Sequence, residues 1–533
     1  MKWQYGPAYR RRLIGSAAAA ALNTERLEWA AAPWRALAIG LVAYMFLLRF
    51  LYGTQVELMP EEAYYWNYSR HLDIGYLDHP PLVAWLIRAG TTLFGNTEFG
   101  VRFGALCCGV AASFFLFRLT RNLFGEPSAL LALVLAQALP FFFLSGTLMT
   151  PDAPLTAAWA ASLYFLERAL IAGRSGAWIW AGLSLGLGLL SKYTIGLLGL
   201  STFVFMVVDP PSRHWFRRWE PYAAALIAAV VFSPVIVWNA HHDWASFVFQ
   251  TSRRLAERPR FSLHKLIGAA MVLITPTGLV AVWAAFTREQ PQPTTAIGTP
   301  AMARAWRLMR LSVIVPLVVF FFFSLRHDIK LDWTGAPWVA ALPLMALGIS
   351  ERRGSGVSGA RRWLYAAWPP TIIAMLLIFS AGLYYLVLGI PGVGYTEHAE
   401  LIPVGWRDFG RQIDGIAADV RAKYGDDSLV VGMDRYAIAS ELAFYSNDQS
   451  KSIAGTSTGY LFDGMGLMYE QWFPARLQAG RTLLLVAWSS DALTPASLEK
   501  HIEGLEPMGE GVLLRHGRFV RRYYFRVVHG YRS

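Results

Sequence analysis

Two carboxylates stand side by side in Pro60-Glu-Glu-Ala-Tyr-Tyr-Trp66, directly after the first long apolar run of the chain. At the edge of a bilayer Glu61 and Glu62 need solvent, a partner or a use, because a bare charge there is costly. A plainer reading makes them a hydrated anchor, with Tyr64, Tyr65 and Trp66 in an interfacial aromatic belt. Next comes Gly75-Tyr-Leu-Asp-His-Pro-Pro-Leu82, whose two prolines stop a helix and stiffen the turn, so Asp78 and His79 are held in place. Met149-Thr-Pro-Asp-Ala-Pro-Leu155 sets Asp152 at a helix start, where it also suits the role of an N-terminal cap. Lys192, the run His241-His242-Asp243-Trp244, Arg253 with Arg254, and the turn from Arg326 to Trp333 with Lys330 and Asp332 add cations and further carboxylates. A carboxylate that takes a hydroxyl proton, beside cations that hold a phosphate, is the equipment of general-base transfer from a phosphate-linked donor. The same mixture fits simple charge pairing at an interface. No His, Cys and carboxylate spacing of the metal-binding kind stands out, so no divalent metal is expected.

Positioning these groups falls to apolar helices. With 55% apolar and 14% aromatic residues, the chain carries more apolar side chain than a soluble fold of its 533 residues could cover. A bilayer crossing takes about 20 apolar residues, and candidates lie near 34–53, 101–119, 127–147, 152–171, 176–191, 193–208, 221–239, 265–286, 310–325, 335–350 and 364–388. Short or re-entrant pieces would raise the total from about 11 to about 13. With the N-terminus inside, every second loop holds arginines: Arg118 and Arg121, Arg168 and Arg174, Arg213 with Arg217 and Arg218, Arg304 with Arg307 and Arg310, and Arg352 with Arg353, Arg361 and Arg362. That regularity gives an orientation in which residues 54–100, Asp152, Lys192, 240–264, 326–334 and everything after about 390 share the outer face. The net charge of +12 is therefore read as topology and not as a nucleic-acid surface.

The division expected is a cytoplasmic segment 1–33, a membrane domain 34–392 whose loop 54–100 forms interfacial helices, and a periplasmic α/β domain 393–533. In that last domain Arg407 to Tyr424 has helical periodicity, and Ser428 to Gly432 and Thr482 to Ala487 read as buried strands. Cys107 and Cys108 are neighbours inside an apolar run and read as core residues. Arg10, Arg11 and Arg12 before an alanine-rich stretch faintly suggest a signal sequence; the stretch is short, and a longer span follows it.

Taken in order, Pro60 to Trp66, Gly75 to Leu82, Thr150-Pro-Asp-Ala-Pro-Leu155, Leu190-Ser-Lys-Tyr-Thr194 and His242-Asp-Trp244 resemble the bacterial GT-C superfamily transferases related to protein O-mannosyltransferases and to the lipid A aminoarabinose transferase. The resemblance is densest over residues 55–160. It implies an all-α polytopic fold in the inner membrane, a polyprenyl-phosphate sugar donor, an acceptor met at the periplasmic face, inversion at the anomeric carbon, and no cofactor. It also implies that the first acidic residue of the opening loop is the base. In the family that residue is usually Asp followed by Glu, whereas this chain has Glu61 and then Glu62. Asp152 matches the family's second functional carboxylate, and His79 stands where the aminoarabinose transferase has a lysine near the donor phosphate. Phosphate binding is accordingly expected of His79, Lys192, Arg253, Arg254 and Lys330, with Glu62, Tyr65, Asp78, His242 and Trp333 around the acceptor or behind these groups. A transporter or flippase, or a silent lipid-binding scaffold, would share the composition. Charges placed at span ends rather than mid-span count against transport.

Overall fold

A computed structural model describes residues 32–251, 259–287, 300–350, 359–395, 402–425 and 428–533. The chain opens with α1 (Ala32–Gln55), then α2 (Pro60–Arg70), α3 (Leu82–Phe94), α4 (Glu98–Phe124) and α5 (Glu126–Ala138). It continues through α6 (Asp152–Leu170), α7 (Ala177–Leu189), α8 (Gly196–Val208), α9 (Glu220–His241), α10 (Leu263–Thr287), α11 (Pro300–Ser324), α12 (Ala341–Ser350) and α13 (Gly359–Leu388). Six of these, α1, α4, α9, α10, α11 and α13, contain stretches long and apolar enough to cross a membrane. The expected spans at 127–147, 176–191, 193–208 and 335–350 correspond to shorter helices broken by turns, and 152–171 to the unbroken 19-residue helix α6. Among them α6 is enclosed by protein, with Trp159, Leu163 and Leu166 fully buried.

Successive helices alternate between two ends of the bundle. At one end α6 finishes at Leu170, whose carbonyl accepts from Arg304 at 2.6 Å, and Arg304 and Arg307 pair with Asp209 at 2.9 and 3.2 Å. At the other end α6 begins with Asp152, α7 leads to Lys192, and α11 leads to the turn at Asp332. Prolines lie inside α9, α10, α11 and α13, where each removes a backbone donor, and α10 is broken outright at Thr275, with φ 66°.

After α13 come α14 (Trp406–Tyr424), β1 (Leu429–Gly432), α15 (Ala437–Tyr445), β2 (Thr456–Thr458), β3 (Leu483–Ala487), β4 (Gly504–Leu505), β5 (Gly509–Arg515) and β6 (Arg518–His529). The sheet order is β2-β1-β3-β6-β4, with β5 on β6. Strands β2, β1 and β3 are parallel, while β6 runs antiparallel to β3, pairing Leu483 with Val528 and Ala487 with Tyr524. The expected helix at 407–424 and the expected strands at 428–432 and 482–487 are found within one residue. Strand β6 was not foreseen, although Arg518 to His529 has the β-branched and aromatic content of one.

The sheet domain is built onto the loop region after α1. Tyr64, Tyr68, Tyr76, Val83 and Ile87 share one buried apolar cluster with Leu429, Phe444, Leu467 and Leu483. Burying that surface from water drives the docking. Polar bonds set its geometry: Trp406 N donates to Glu57 Oε2 at 2.7 Å, Leu58 N to Tyr445 Oη at 2.7 Å, and Arg407 pairs with Glu98 at 2.5 Å. Helix α2 therefore lies beneath protein and is not an open surface helix.

Candidate functional site

Pro60 starts α2 at a position where a missing N–H costs nothing, and Glu61 and Glu62 occupy its first turn, which suits carboxylates near the positive end of the helix dipole. One residue of spacing sends the two carboxylates to different places. Glu62 is fully buried, accepting from Arg102 Nε at 2.9 and 3.1 Å, from Met149 N at 2.9 Å and from Met59 N at 3.1 Å. Arg102 also donates to the carbonyls of Tyr52, Val56 and Glu57. The pair ties α1, α2, α4 and the 147–151 turn into one unit, so Glu62 supports the site from behind.

Glu61 is open to solvent, yet surrounded by enough protein that desolvation raises its pKa above the ordinary carboxylate range. Asp332 raises it further, while Lys330 and Lys192 pull it back. Those neighbours locate Glu61 in a recess at the end of the bundle that carries the sheet domain.

Asp152 begins α6 at the same end of the bundle. Rather than capping α6 with its side chain, it turns to Lys192, whose ammonium is 3.0 and 3.1 Å from its two oxygens. Ser191 Oγ donates to the Pro151 carbonyl at 2.6 Å and so holds the two segments together, while Leu82 N donates to the Leu190 carbonyl at 3.0 Å and ties the Asp78 loop to the same turn. Lys192 also holds Asp332 at 2.5 Å. Burial opposes the ammonium, but the two carboxylates outweigh it and keep the Lys192 pKa above its usual value. Burial would likewise raise Asp332, whereas Lys192 holds it well below the usual range. Glu61, Asp152 and Asp332 thus meet around one lysine, which two of them already engage. Asp332 has no role in the sequence reading beyond its place in the turn, although it stands between Lys330 and Trp333.

Asp78 is buried and accepts from Tyr64 Oη at 3.1 Å and from the Tyr68 hydroxyl. Burial raises its pKa, and the two phenols act against that rise. Gly75, just before, lies so close to Trp238 that a Cβ would sit 2.6 Å from the indole, which ties the loop to α9. Tyr65 is buried, and the His79 ring stands edge-on to it at 5.7 Å. Lys330 is exposed near Glu61, and Trp333 packs on Phe320 and Phe323. His242 goes elsewhere, stacked on Trp238 at 4.1 Å with Nδ1 2.8 Å from the Trp238 carbonyl, on the Asp73 side of the loop. Arg253 and Arg254 lie outside the described residues, as does the N-terminal segment through residue 31.

Comparison with known proteins adds a partial family match and a fold. The family described as dolichyl-phosphate-mannose-protein mannosyltransferase matches residues 78–238, a stretch that holds Asp78, His79, Asp152 and Lys192. Lipid A galacturonosyltransferase RgtD of Rhizobium johnstonii is 30% identical over 195 residues, 35% of this chain and 39% of that protein. The undecaprenyl phosphate-alpha-4-amino-4-deoxy-L-arabinose arabinosyl transferase of Edwardsiella ictaluri is 29% identical over 207 residues, 36% of each chain. The chain thus spans well under half the length of these two relatives. The crystal structure of ArnT from Cupriavidus metallidurans bound to undecaprenyl phosphate matches over 93% of this chain and 98% of its own, with a TM-score of 0.59 and 16% identity. That likeness establishes the fold: a multi-span helical membrane domain with a small C-terminal sheet domain, as the resemblance to the GT-C superfamily implied.

Proposed function

We propose that the chain is an inverting membrane glycosyltransferase that moves a sugar from an undecaprenyl-phosphate donor to a lipid, glycan or protein acceptor. The reading rests on one observation, the convergence of Glu61, Asp152 and Asp332 around Lys192 in a water-reached recess. The donor and the lipid acceptor are suggested by the names of the relatives, one acting on lipid A and one on an undecaprenyl-phosphate sugar. The arginine-bearing loops favour an N-terminus in the cytoplasm and a recess and sheet domain in the periplasm.

In this mechanism the Glu61 carboxylate takes the proton of the acceptor hydroxyl as the acceptor oxygen attacks the anomeric carbon. The bond from that carbon to the phosphate oxygen breaks, and undecaprenyl phosphate departs with the electron pair. A raised pKa makes Glu61 the stronger base. Asp152, fixed by Lys192, orients the acceptor. Lys330 and His79 offset the charge that grows on the leaving phosphate, as preorganised donors do best. Lys192 already occupies the place between Asp152 and Asp332 that a divalent ion would take, so the reaction is proposed to run without one.

The test is transfer of radiolabelled sugar from an undecaprenyl-phosphate donor by the purified chain, by Glu61→Gln and by Asp152→Asn, with the product's anomeric configuration read by NMR. Each variant is expected to lose about 100-fold or more. Activity surviving both substitutions removes the carboxylate mechanism. A wild type inactive with every donor removes the enzyme reading and favours a lipid-binding scaffold.

A further inference from the structure

Strand β1 lies between β2 and β3 and runs parallel to both. The chain leaves β1 to one side for β2 and later crosses to the other side for β3. In open α/β sheets the crevice beyond the carboxyl end of a strand at such a reversal is where ligands bind. Here that crevice is formed by Met433, Asp434, Arg435 and Tyr436, between β1 and α15.

The turn is rigid from within. The Asp434 carboxylate accepts from Ile438 N at 3.1 and 3.2 Å, and its carbonyl accepts from Gly459 N at 3.2 Å. It is also carried directly to the membrane-side recess. The Tyr436 ring lies 4.8 Å from that of Tyr64, whose hydroxyl donates to Asp78 and accepts from Met468 N at 3.3 Å. Leu77 N donates to the Met468 sulfur at 3.2 Å, and Trp472 stacks on His71 at 4.4 Å. Glu61 and Asp78 both act on the Tyr436 hydroxyl, and Arg435, exposed at the rim, acts on Asp78. The sheet domain therefore closes the side of the recess away from the helix ends, and it presents a flat phenol and a solvated guanidinium there.

We propose that Tyr436 and Arg435 form the acceptor-binding wall, Tyr436 as a face for a sugar ring and Arg435 as the holder of a phosphate group on the acceptor. This rests on the transferase reading and assigns the acceptor to the sheet-domain side. A donor anchored by a lipid tail keeps its own phosphate at the level of the helix ends, where Lys330 and His79 stand. A phosphate met by Arg435 arrives from the opposite side, and a guanidinium suits it because its fork bonds two phosphate oxygens at once.

The experiment measures steady-state transfer from undecaprenyl-phosphate-linked 4-amino-4-deoxy-L-arabinose to lipid A by the full chain in nanodiscs, comparing wild type with R435Q, R435K and Y436A. Loss of one charge-assisted contact is expected to raise the KM for lipid A about tenfold in R435Q, leaving kcat and the donor KM within about twofold. R435K should recover part of the loss, and Y436A should raise the same KM. With dephosphorylated lipid A, wild type and R435Q should become alike. A rise confined to the donor KM would move Arg435 onto the donor phosphate and overturn the assignment; no change in either KM would overturn the wall. If wild type transfers nothing from this donor to lipid A, other donors decide the transferase reading, and binding of lipid A to the same proteins decides the wall: weaker binding by R435Q and Y436A supports the surface, and equal binding rejects it.

Discussion

Arg102 Nε stands 2.9 Å from Glu62 Oε1 inside a pair closed to solvent on both sides, one residue along from a glutamate that solvent reaches. The neighbours should therefore fail differently. Glu62→Gln leaves the Arg102 charge buried without its counter-ion, a defect worth about 3–5 kcal/mol, and the variant should express poorly and melt early in detergent. Glu61→Gln should melt as wild type does and lose about 100-fold or more in transfer. A normally stable Glu62→Gln would show that the pair does not hold α2 in place.

Lys192 bonds two carboxylates that differ in exposure, with Asp332 reaching solvent and Asp152 enclosed. Lys192→Met leaves Asp152 and Asp332 facing each other uncompensated, so it should abolish transfer and lower thermal stability by several degrees, in keeping with the cost of breaking a buried pair. Asp332→Asn keeps the Lys192 to Asp152 bond and should cost about tenfold in kcat with little change in melting. Equal losses of stability in both variants would contradict the ordering.

How far the sequence disclosed this arrangement differs from residue to residue. Glu61, Asp78, His79 and Asp152 lie beside prolines or at helix starts, and such local signals persist in the folded chain. Arg102 gave a weaker sign, a lone arginine inside an apolar run, which membrane energetics marks as paired. Asp332 depends on Lys192 across 140 residues, and no periodicity reports such a contact. Tyr436 was invisible for the same reason: its partner Tyr64 lies in another domain, and only the packed sheet brings the two rings together. The strands β1 and β3 were legible because buried parallel strands read as continuous apolar runs.

The pH profile of transfer should report Glu61. The base must be ionised to accept a proton, and its pKa is raised from the ordinary 4.5, mainly by desolvation and next by Asp332. As pH falls through that raised value, kcat/KM should fall, one decade per unit at the limit. Lys330 lowers the Glu61 pKa, so Lys330→Met should move the acid limb to higher pH, and Asp332→Asn should move it to lower pH. Limbs that coincide in all three proteins would assign the titration to another group.

Chelation gives an independent check. Lys192 supplies the positive charge between Asp152 and Asp332, so transfer measured after exhaustive EDTA treatment should stay within about twofold of the untreated rate, where loss of a catalytic dication removes several kcal/mol of stabilisation. Restoration of a lost rate by Mg2+ or Mn2+ would replace the lysine-centred site with a metal-centred one.

Glu441 offers the last prediction, on stability. It lies in α15 with 1% exposure, and neither of its oxygens has a hydrogen-bond partner among the described residues. Burial first, then Glu57 and Glu62, push its pKa well above the ordinary 4.5. The folded chain therefore keeps a proton that the unfolded chain releases above about pH 4.5. Stability should fall as pH rises from there towards the folded pKa, by up to about 1.4 kcal/mol per pH unit. Glu441→Gln carries no such proton, so its melting temperature should match wild type near pH 4.5 and rise progressively above it towards pH 8, with the difference largest at the alkaline end. Parallel melting curves for the two proteins across that range would mean that Glu441 is ionised and paired in the fold.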